Sequence, residues 1–304
     1  MNKPVINVAA SVRQKLLNIA REEKEDFGLL LTKYGLERVL YRISRSRYRP
    51  IFVLKGAFLF ELWTQQRYRP TRDADFLARG ENDPARFAEI FKEICSVVVE
   101  DDGLEFEREA ITAERISEDA DYQGIRLKFT GLLAKARIPI QIDLGFGDII
   151  TPAAVEASLP TLLDLPAPNL LTYPPETVIA EKFEAAVSLG MANSRMKDLY
   201  DIRDLAQRCS FEGRVLSEAI VNTFRTRGTE LPRQRPVVMS FEFFESTDKK
   251  KQWAAFTSRN RSHISSLSLE SVCNDLSVFL LPVIDALAKK RGVPKRWHSG
   301  TWEI

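Results

Sequence analysis

The chain predicts an α+β fold: a mixed-sheet core, preceded by an N-terminal helical segment and followed by a C-terminal helical lobe. Three observations carry this. Apolar residues recur at helical spacing through the first fifty residues, and between Leu104 and Gly147 the pattern changes to the alternation of strands. Beyond Pro175 helical spacing returns and holds almost to the end. The returns between strands are too irregular for a βαβ series, so a doubly wound sheet is excluded.

The elements follow in order. Ser11 and Gln14 have capping-box spacing, and Val12, Leu16, Leu17, Ile19 and Ala20 form the apolar stripe of a first helix. After Phe27-Gly28 a second helical pattern runs from Leu29 to Ile43, and Pro50 interrupts it. IFVLK (51–55) reads as a short buried strand, Gly56 as a turn, and AFLFELW as a helix. Asp73–Leu77 is a candidate strand, followed by a helix around Pro84–Val98. Phe106 opens a weak strand, and Gly124–Thr130 and Ile138–Phe146 alternate in character. In the last of these Ile138, Ile140, Ile142 and Leu144 share one face, and the short GLLAKAR connection makes the two an antiparallel pair. Six prolines between Pro152 and Pro175 predict a surface connector. Helices are then expected over Pro175–Leu189, Ser194–Arg208, Arg214–Arg227, Phe241–Thr257 and Leu269–Arg291. The expected organisation is helices over 1–50, a sheet core over 51–150 and a helical lobe over 151–304.

Composition narrows the chemistry. With 304 residues, 44% hydrophobic and 28% charged, the chain has the make-up of a globular protein with a real core, in one large domain or two. Cys95, Cys209 and Cys273 lie far apart without CxxC spacing, which excludes a zinc ribbon and argues against a disulfide framework. Cys95 and Cys209 read as core thiols. No signal-peptide pattern opens the chain and no uninterrupted apolar run approaches a membrane span, so a reducing cytoplasm and no membrane partner are expected. The only histidines, His263 and His298, have no evident catalytic partner. Basic residues bunch at Arg42–Arg49, Arg67–Arg72, Lys249–Lys251, Arg259–Arg261 and Lys289–Arg296, as patches for phosphates or as solvated faces.

The stretch from Leu54 to Phe76 holds the sharpest signal. Asp73 and Asp75 are two apart, so on a strand their carboxylates share a face. Like charges so placed repel unless a cation joins them, and hard ions such as Mg²⁺ take oxygen ligands shared with substrate phosphates. Asp143 lies opposite Ile140, Ile142 and Leu144 on a strand that would neighbour Asp73–Leu77, and the three carboxylates together would make a two-metal site for in-line phosphoryl or nucleotidyl displacement. Lys55-Gly56, seventeen residues before Asp73, fits a turn whose backbone amides approach a triphosphate.

The helical half adds a second constellation. In Pro175–Leu189, Val178, Ile179, Phe183, Ala186 and Val187 point inward, with Lys182 beside that stripe. Downstream, Asp198 and Asp201 stand at i and i+3 on one helix face, a costly placement that suggests a ligand; the alternative is surface ion pairs with Arg195, Lys197 and Arg203, and for Asp204 such pairs are expected.

Taken in order, Lys55-Gly56-Ala57, Arg69-x-Thr71-x-Asp73-x-Asp75, Asp143, a proline-rich link, Glu181-Lys182-x-x-Ala185 and Arg195-x-Lys197-Asp198-x-x-Asp201 resemble the AbiEii/AbiGii toxin family of nucleotidyltransferase-like proteins in the DNA polymerase β superfamily. The likeness spans about half the chain, from Val53 to Leu205. Two positions depart from it: Ala57 stands where the family has a second glycine, and Thr71 replaces a serine while keeping the hydroxyl.

The resemblance implies a sheet lobe that carries the metal carboxylates and a helical lobe that closes over the nucleotide. Asp73 and Asp75 would hold Mg²⁺, one ion or two, Lys182 would meet the triphosphate, and Asp198 would be a further polar or catalytic residue. Lys55, Gly56, Ala57, Arg69 and Thr71 would bind the NTP. The implied activity is transfer of nucleotides to an RNA, foremost the tRNA 3′ end, by a toxin with an antitoxin encoded nearby. Two alternatives stand beside it: a nucleotidyltransferase that modifies a protein or small molecule, and a nucleotide-binding fold without catalysis.

Overall fold

The computed structural model describes residues 7–64, 71–119, 122–260, 267–298 and 300–303, without the side chains of 117–119 and 122–123. They gather into two compact units, one made of Met1–Gly147 with Val155–Thr172, the other of Asp148–Ala154 with Tyr173–Ile304. The N-terminal helices thus belong to the unit that holds the large sheet.

In the first unit, α1 (Val8–Glu23) starts one turn before the expected Ser11–Gln14 box: Asn7 is its cap, and its side chain accepts from the Ala10 amide. Asn is as good a cap as Ser, and the apolar stripe continues back to it. Asp26 caps α2 (Phe27–Arg45), whose Gly28 lies inside the helix. Then come β1 (Phe52–Lys55), α3 (Phe58–Thr64), β2 (Ala74–Ala78), α4 (Pro84–Cys95), β3 (Leu104–Phe106), β4 (Thr112–Asp119), β5 (Tyr122–Leu133) and β6 (Ala136–Gly145). The expected connector is no mere crossing. It contains β7 (Val155–Ser158) and β8 (Asn169–Thr172), which pair with each other and join the sheet through β1. Its prolines fall before, after and between these two strands, where they block no ladder bond.

The sheet runs β3-β5-β6-β2-β1-β8-β7, with β4 sharing the β5 edge with β3. Pairs β6·β2 and β1·β8 are parallel and the others antiparallel, so the sheet is mixed. The GLLAKAR connection is itself mostly strand: β5 and β6 pair out to Leu133 and Ala136 around a two-residue turn in which Ala134 has φ 51°.

One face of the sheet is apolar. Phe52, Phe76, Ile140, Ile142 and Leu144 are all at most 2% exposed, and α2 and α4 lie on them. Phe87 and Phe91 of α4 meet Phe52 edge-on or tilted. Gly35 lets α2 come close, since a Cβ there would lie 2.7 Å from Ile140 Cδ1. The charged positions of the same strands alternate onto the other face.

The second unit contains α5 (Pro175–Leu189), α6 (Met196–Arg208), β9 (Phe211–Glu212), α7 (Gly213–Thr226), α8 (Phe241–Glu245), α9 (Thr247–Arg259), α10 (Leu269–Ala288), β10 (Arg296–His298) and β11 (Thr301–Glu303). The helix expected over Phe241–Thr257 is two helices, because Ser246 leaves helical geometry between them. In α5, Val187 is half-buried rather than in the core, while Glu184 and Ala185 are buried. Helix α10 is long and apolar enough by composition to cross a membrane, with mean hydropathy 1.5, yet half of that window is buried, as in a core helix. Trp297 and Trp302 pack on its Phe279 and bind the Ala206 and Phe279 carbonyls through their indole N–H groups.

The three cysteines are free; Cys273 is buried, while Cys95 and Cys209 are half-buried rather than fully in the core. Burial pushes their thiols to about 12, 11 and 12 for Cys95, Cys209 and Cys273, which leaves them inert near neutrality.

Candidate functional site

On the polar face of the first unit's sheet, one register row crosses five strands. Glu114 of β4 pairs with Arg126 of β5, Arg126 with Asp143 of β6, Asp143 with Asp75 of β2, and Asp75 with Lys55 of β1. Register partners share a face and stand about 5 Å apart, so the row is a ladder of charges, −, +, −, −, +. Its two adjacent acids are Asp143 and Asp75, with a cation on either side.

Asp73 directly precedes β2, two residues before Asp75. Thr71 donates its hydroxyl to Asp73 Oδ1 at 2.7 Å and fixes that carboxylate. Gly56, at the end of β1, has φ +79°, and a Cβ on it would overlap the Asp75 carboxylate oxygen. The glycine thus does two things: it allows the left-handed turn, and it leaves the space that Asp75 occupies. Ala57 follows, half-buried, at the start of the turn into α3, where its carbonyl accepts from the Phe60 amide. Arg69 and Arg67 lie outside the described residues.

Asp143 is only 8% exposed at its side chain and is fully engaged. Arg126 donates from Nε to Oδ1 at 2.9 Å and from Nη2 to Oδ2 at 2.6 Å, and Gln141 adds a longer bond to Oδ2. The hydrogen bonds to Asp143 raise the Arg126 pKa, and the charges of Asp143, Asp73 and Glu114 add to them against desolvation. Arg126 does not stand out in the sequence as a site residue. The alternation of GIRLKFT placed it on a polar face, but only the register puts it opposite Asp143.

The second unit holds the other constellation by itself. Lys182 Nζ lies 2.5 Å from Asp198 Oδ1 and 3.0 Å from Asp201 Oδ2. The side chains are 15%, 8% and 0% exposed, so this is a buried triad and not a set of surface pairs. Asp198 is also in the first turn of α6, where the helix dipole favours an anion. Glu181, next to Lys182, faces Arg227 at 3.7 Å, and Arg227 also meets Glu184 at 2.9 Å and Asp148 at 3.5 Å. Burial works against the Arg227 charge, but Glu181, Asp148 and Glu184 outweigh it and raise its pKa.

Asp204 departs from expectation. It is 3% exposed and pairs with Arg208 one turn on, while Arg203 goes to Asp275. Desolvation raises its pKa. Among the basic patches, Arg42 is buried on Asp102, and Lys249 is buried with its ammonium on the Asn193 carbonyl, so neither is available to a ligand. Lys250, Lys251, Lys289, Lys290, Arg291, Lys295 and Arg296 are exposed. His298 contacts the Ser210 hydroxyl at 2.7 Å at the surface, a partner that the sequence did not reveal; His263 lies outside the described residues.

The sequence profile described as nucleotidyl transferase AbiEii toxin, type IV TA system, matches residues 38–276. Two solved structures are similar in chain path. One is a candidate nucleotidyltransferase from H. pylori, with TM-score 0.47 and 14% identity, covering 84% of this chain and 94% of that one. The other is JHP933 from Helicobacter pylori, with TM-score 0.45 and 14% identity, covering 84% and 91%. No curated protein matches.

Proposed function

The chain belongs to the AbiEii nucleotidyltransferase toxin family of type IV toxin–antitoxin systems, and from that premise we propose that it transfers nucleotides from an NTP to an RNA acceptor, the 3′ end of tRNA. The observation that carries the reading is the pair Asp73 and Asp75, two residues apart at the start of β2 and beside the turn at Gly56. Such a concentration of carboxylates on one face suits a hard cation and a polyphosphate.

Mg²⁺ is the cation we assign. Among the described residues no group of three or more His, Cys, Asp or Glu side chains is placed to hold a metal ion. Two carboxylates nevertheless suit Mg²⁺, which keeps several waters and shares phosphate oxygens. Asp73 and Asp75 would hold it; when bound, it supplies charge neutralisation at the phosphates. The chain's own groups prepare the site. The Thr71 hydroxyl orients Asp73, and Gly56 leaves the space in which Asp75 lies. Lys55 stands opposite Asp75 in register on the neighbouring strand. In the second unit we assign Lys182 to nucleotide phosphate, its ammonium positioned by Asp198 and Asp201. Nucleotidyl transfer depends mainly on positioning and charge stabilisation, so it requires no histidine base.

The exposed lysines and arginines of the second unit support an RNA acceptor, because phosphate contacts are made chiefly by such groups. We place the reaction in the cytoplasm, with an antitoxin as the partner that the family implies. The test is incubation of the full chain with each labelled NTP, Mg²⁺ and total tRNA. Label should enter the tRNA 3′ end and be lost in D73N and D75N. Label in a protein or small molecule with none in RNA would overturn the acceptor, and no transfer to any acceptor would overturn the activity.

A further inference from the structure

The polar row contains a division of labour between its two adjacent acids. Asp75 is half-buried against Gly56. Asp143 is buried and spends both oxygens on the fork of Arg126, with Gln141 on one of them. In that pair the Asp143 side chain is 8% exposed and the Arg126 side chain 32%. Whatever approaches this face from solvent therefore meets the arginine before the aspartate.

A bidentate carboxylate–guanidinium fork uses both carboxylate oxygens in plane and holds the arginine in one orientation. Arg126 gives Nε and Nη2 to the fork, and among the described residues Nη1 makes no hydrogen bond. The charge of Asp73 is close enough to be felt at Arg126. A phosphate oxygen next to a cation on Asp73 and Asp75 would thus have a fixed donor close by, at no cost of ordering a mobile side chain.

We infer that Asp143 is the positioning residue of Arg126 and not a metal ligand, that Asp73 and Asp75 hold the cation without it, and that Arg126 is an anion-binding residue for a phosphate of the substrate. The phosphate and the cation on Asp73 and Asp75 rest on the reading of a nucleotidyltransferase; the role of Asp143 toward Arg126 rests on the geometry alone.

Two binding measurements on the full chain test it, neither of them an activity. In the first, Mn²⁺ binding is followed by electron paramagnetic resonance without nucleotide. D75N should weaken it at least about tenfold, the loss of one of two carboxylate ligands, and D143N should change it by no more than about twofold. In the second, inorganic tripolyphosphate is titrated calorimetrically in EDTA. R126A and D143N should each weaken binding by about tenfold, the worth of a charge-assisted bond, and the double variant by no more than either alone. R126K should fall between wild type and R126A, because it keeps the charge without the fork. Thermal melts identify any unfolded variant, and R126K carries the second test if R126A is one. Loss of Mn²⁺ in D143N to the extent seen in D75N would overturn the inference, as would unchanged tripolyphosphate binding in R126A. If the wild type transfers no nucleotide while both binding results hold, the reaction falls and this assignment stands.

Discussion

Lys182 shows how much one side chain can be asked to do. Its ammonium is the counter-charge for Asp198 and Asp201, two carboxylates that are almost wholly withdrawn from water. A buried carboxylate without its cation loses several kcal/mol, far more than any surface pair contributes. Lys182→Met should therefore destabilise the second unit by about 3 kcal/mol, as a fall in its denaturation midpoint. The triple change K182M/D198N/D201N should recover most of that loss, because it removes the stranded charges. Nucleotide binding should fail in both. This separates the lysine's structural role, which the triple variant restores, from its proposed contact with phosphate, which it does not. The spacing of Asp198 and Asp201 in the sequence showed that they share a face, but Lys182 lies sixteen residues earlier on another helix. The local alternatives, Arg195, Lys197 and Arg203, were the partners that spacing alone could offer.

At the scale of elements, α2 organises the first unit, through charges that the sequence presents as a basic patch. Arg42 binds Asp102 through Nη1 at 2.7 Å and Nη2 at 3.1 Å, and Tyr34 of the same helix donates to the Asp102 carbonyl. Both ion-pair partners are nearly buried, and Asp102 also accepts from the Leu104 amide where β3 begins. Asp102→Ala should cost about 3 kcal/mol by leaving Arg42 buried without its acid. R42M/D102L should be closer to wild type, as measured by urea denaturation. The same long reach explains what was legible. Helices α4 and α5 begin where their prolines and periodicity predicted, because capping and amphipathic spacing are local. Strand β4 was not read, since TAERISED is mostly polar and is a strand only because β5 pairs with it. Strands β7 and β8 were hidden by prolines that border them. At the site the D-x-D was visible because a two-residue spacing guarantees a shared face, whereas Arg126 depends on register, which no single strand encodes.

At the scale of the molecule, each unit has its own core and its own buried acids, and their protonation makes stability depend on pH in an unusual direction. Glu37 of α2 is 3% exposed, and burial pushes its pKa from 4.5 to about 7, against the lowering effects of Arg38 and of its bond from the Leu162 amide. Burial also raises Glu176 and Asp204 in the second unit. A carboxyl with a raised folded pKa binds more protons folded than unfolded. Its contribution to stability is thus complete below the unfolded value near 4.5 and is lost as pH rises through about 7. For Glu37 the loss between pH 5 and pH 8 amounts to about 2 kcal/mol. Glu37→Gln has the shape of the protonated form and can still accept from Leu162, so the variant should escape that loss. Hydrogen exchange of the β5–β6 hairpin amides reports opening of the first unit separately from the second. Protection in the wild type, corrected for the intrinsic rate, should fall from pH 5 to pH 8, and in E37Q it should fall less, by about 2 kcal/mol at pH 8 relative to pH 5. Parallel profiles for the two proteins would mean that Glu37 is charged throughout this range, with Arg38 compensating it in full.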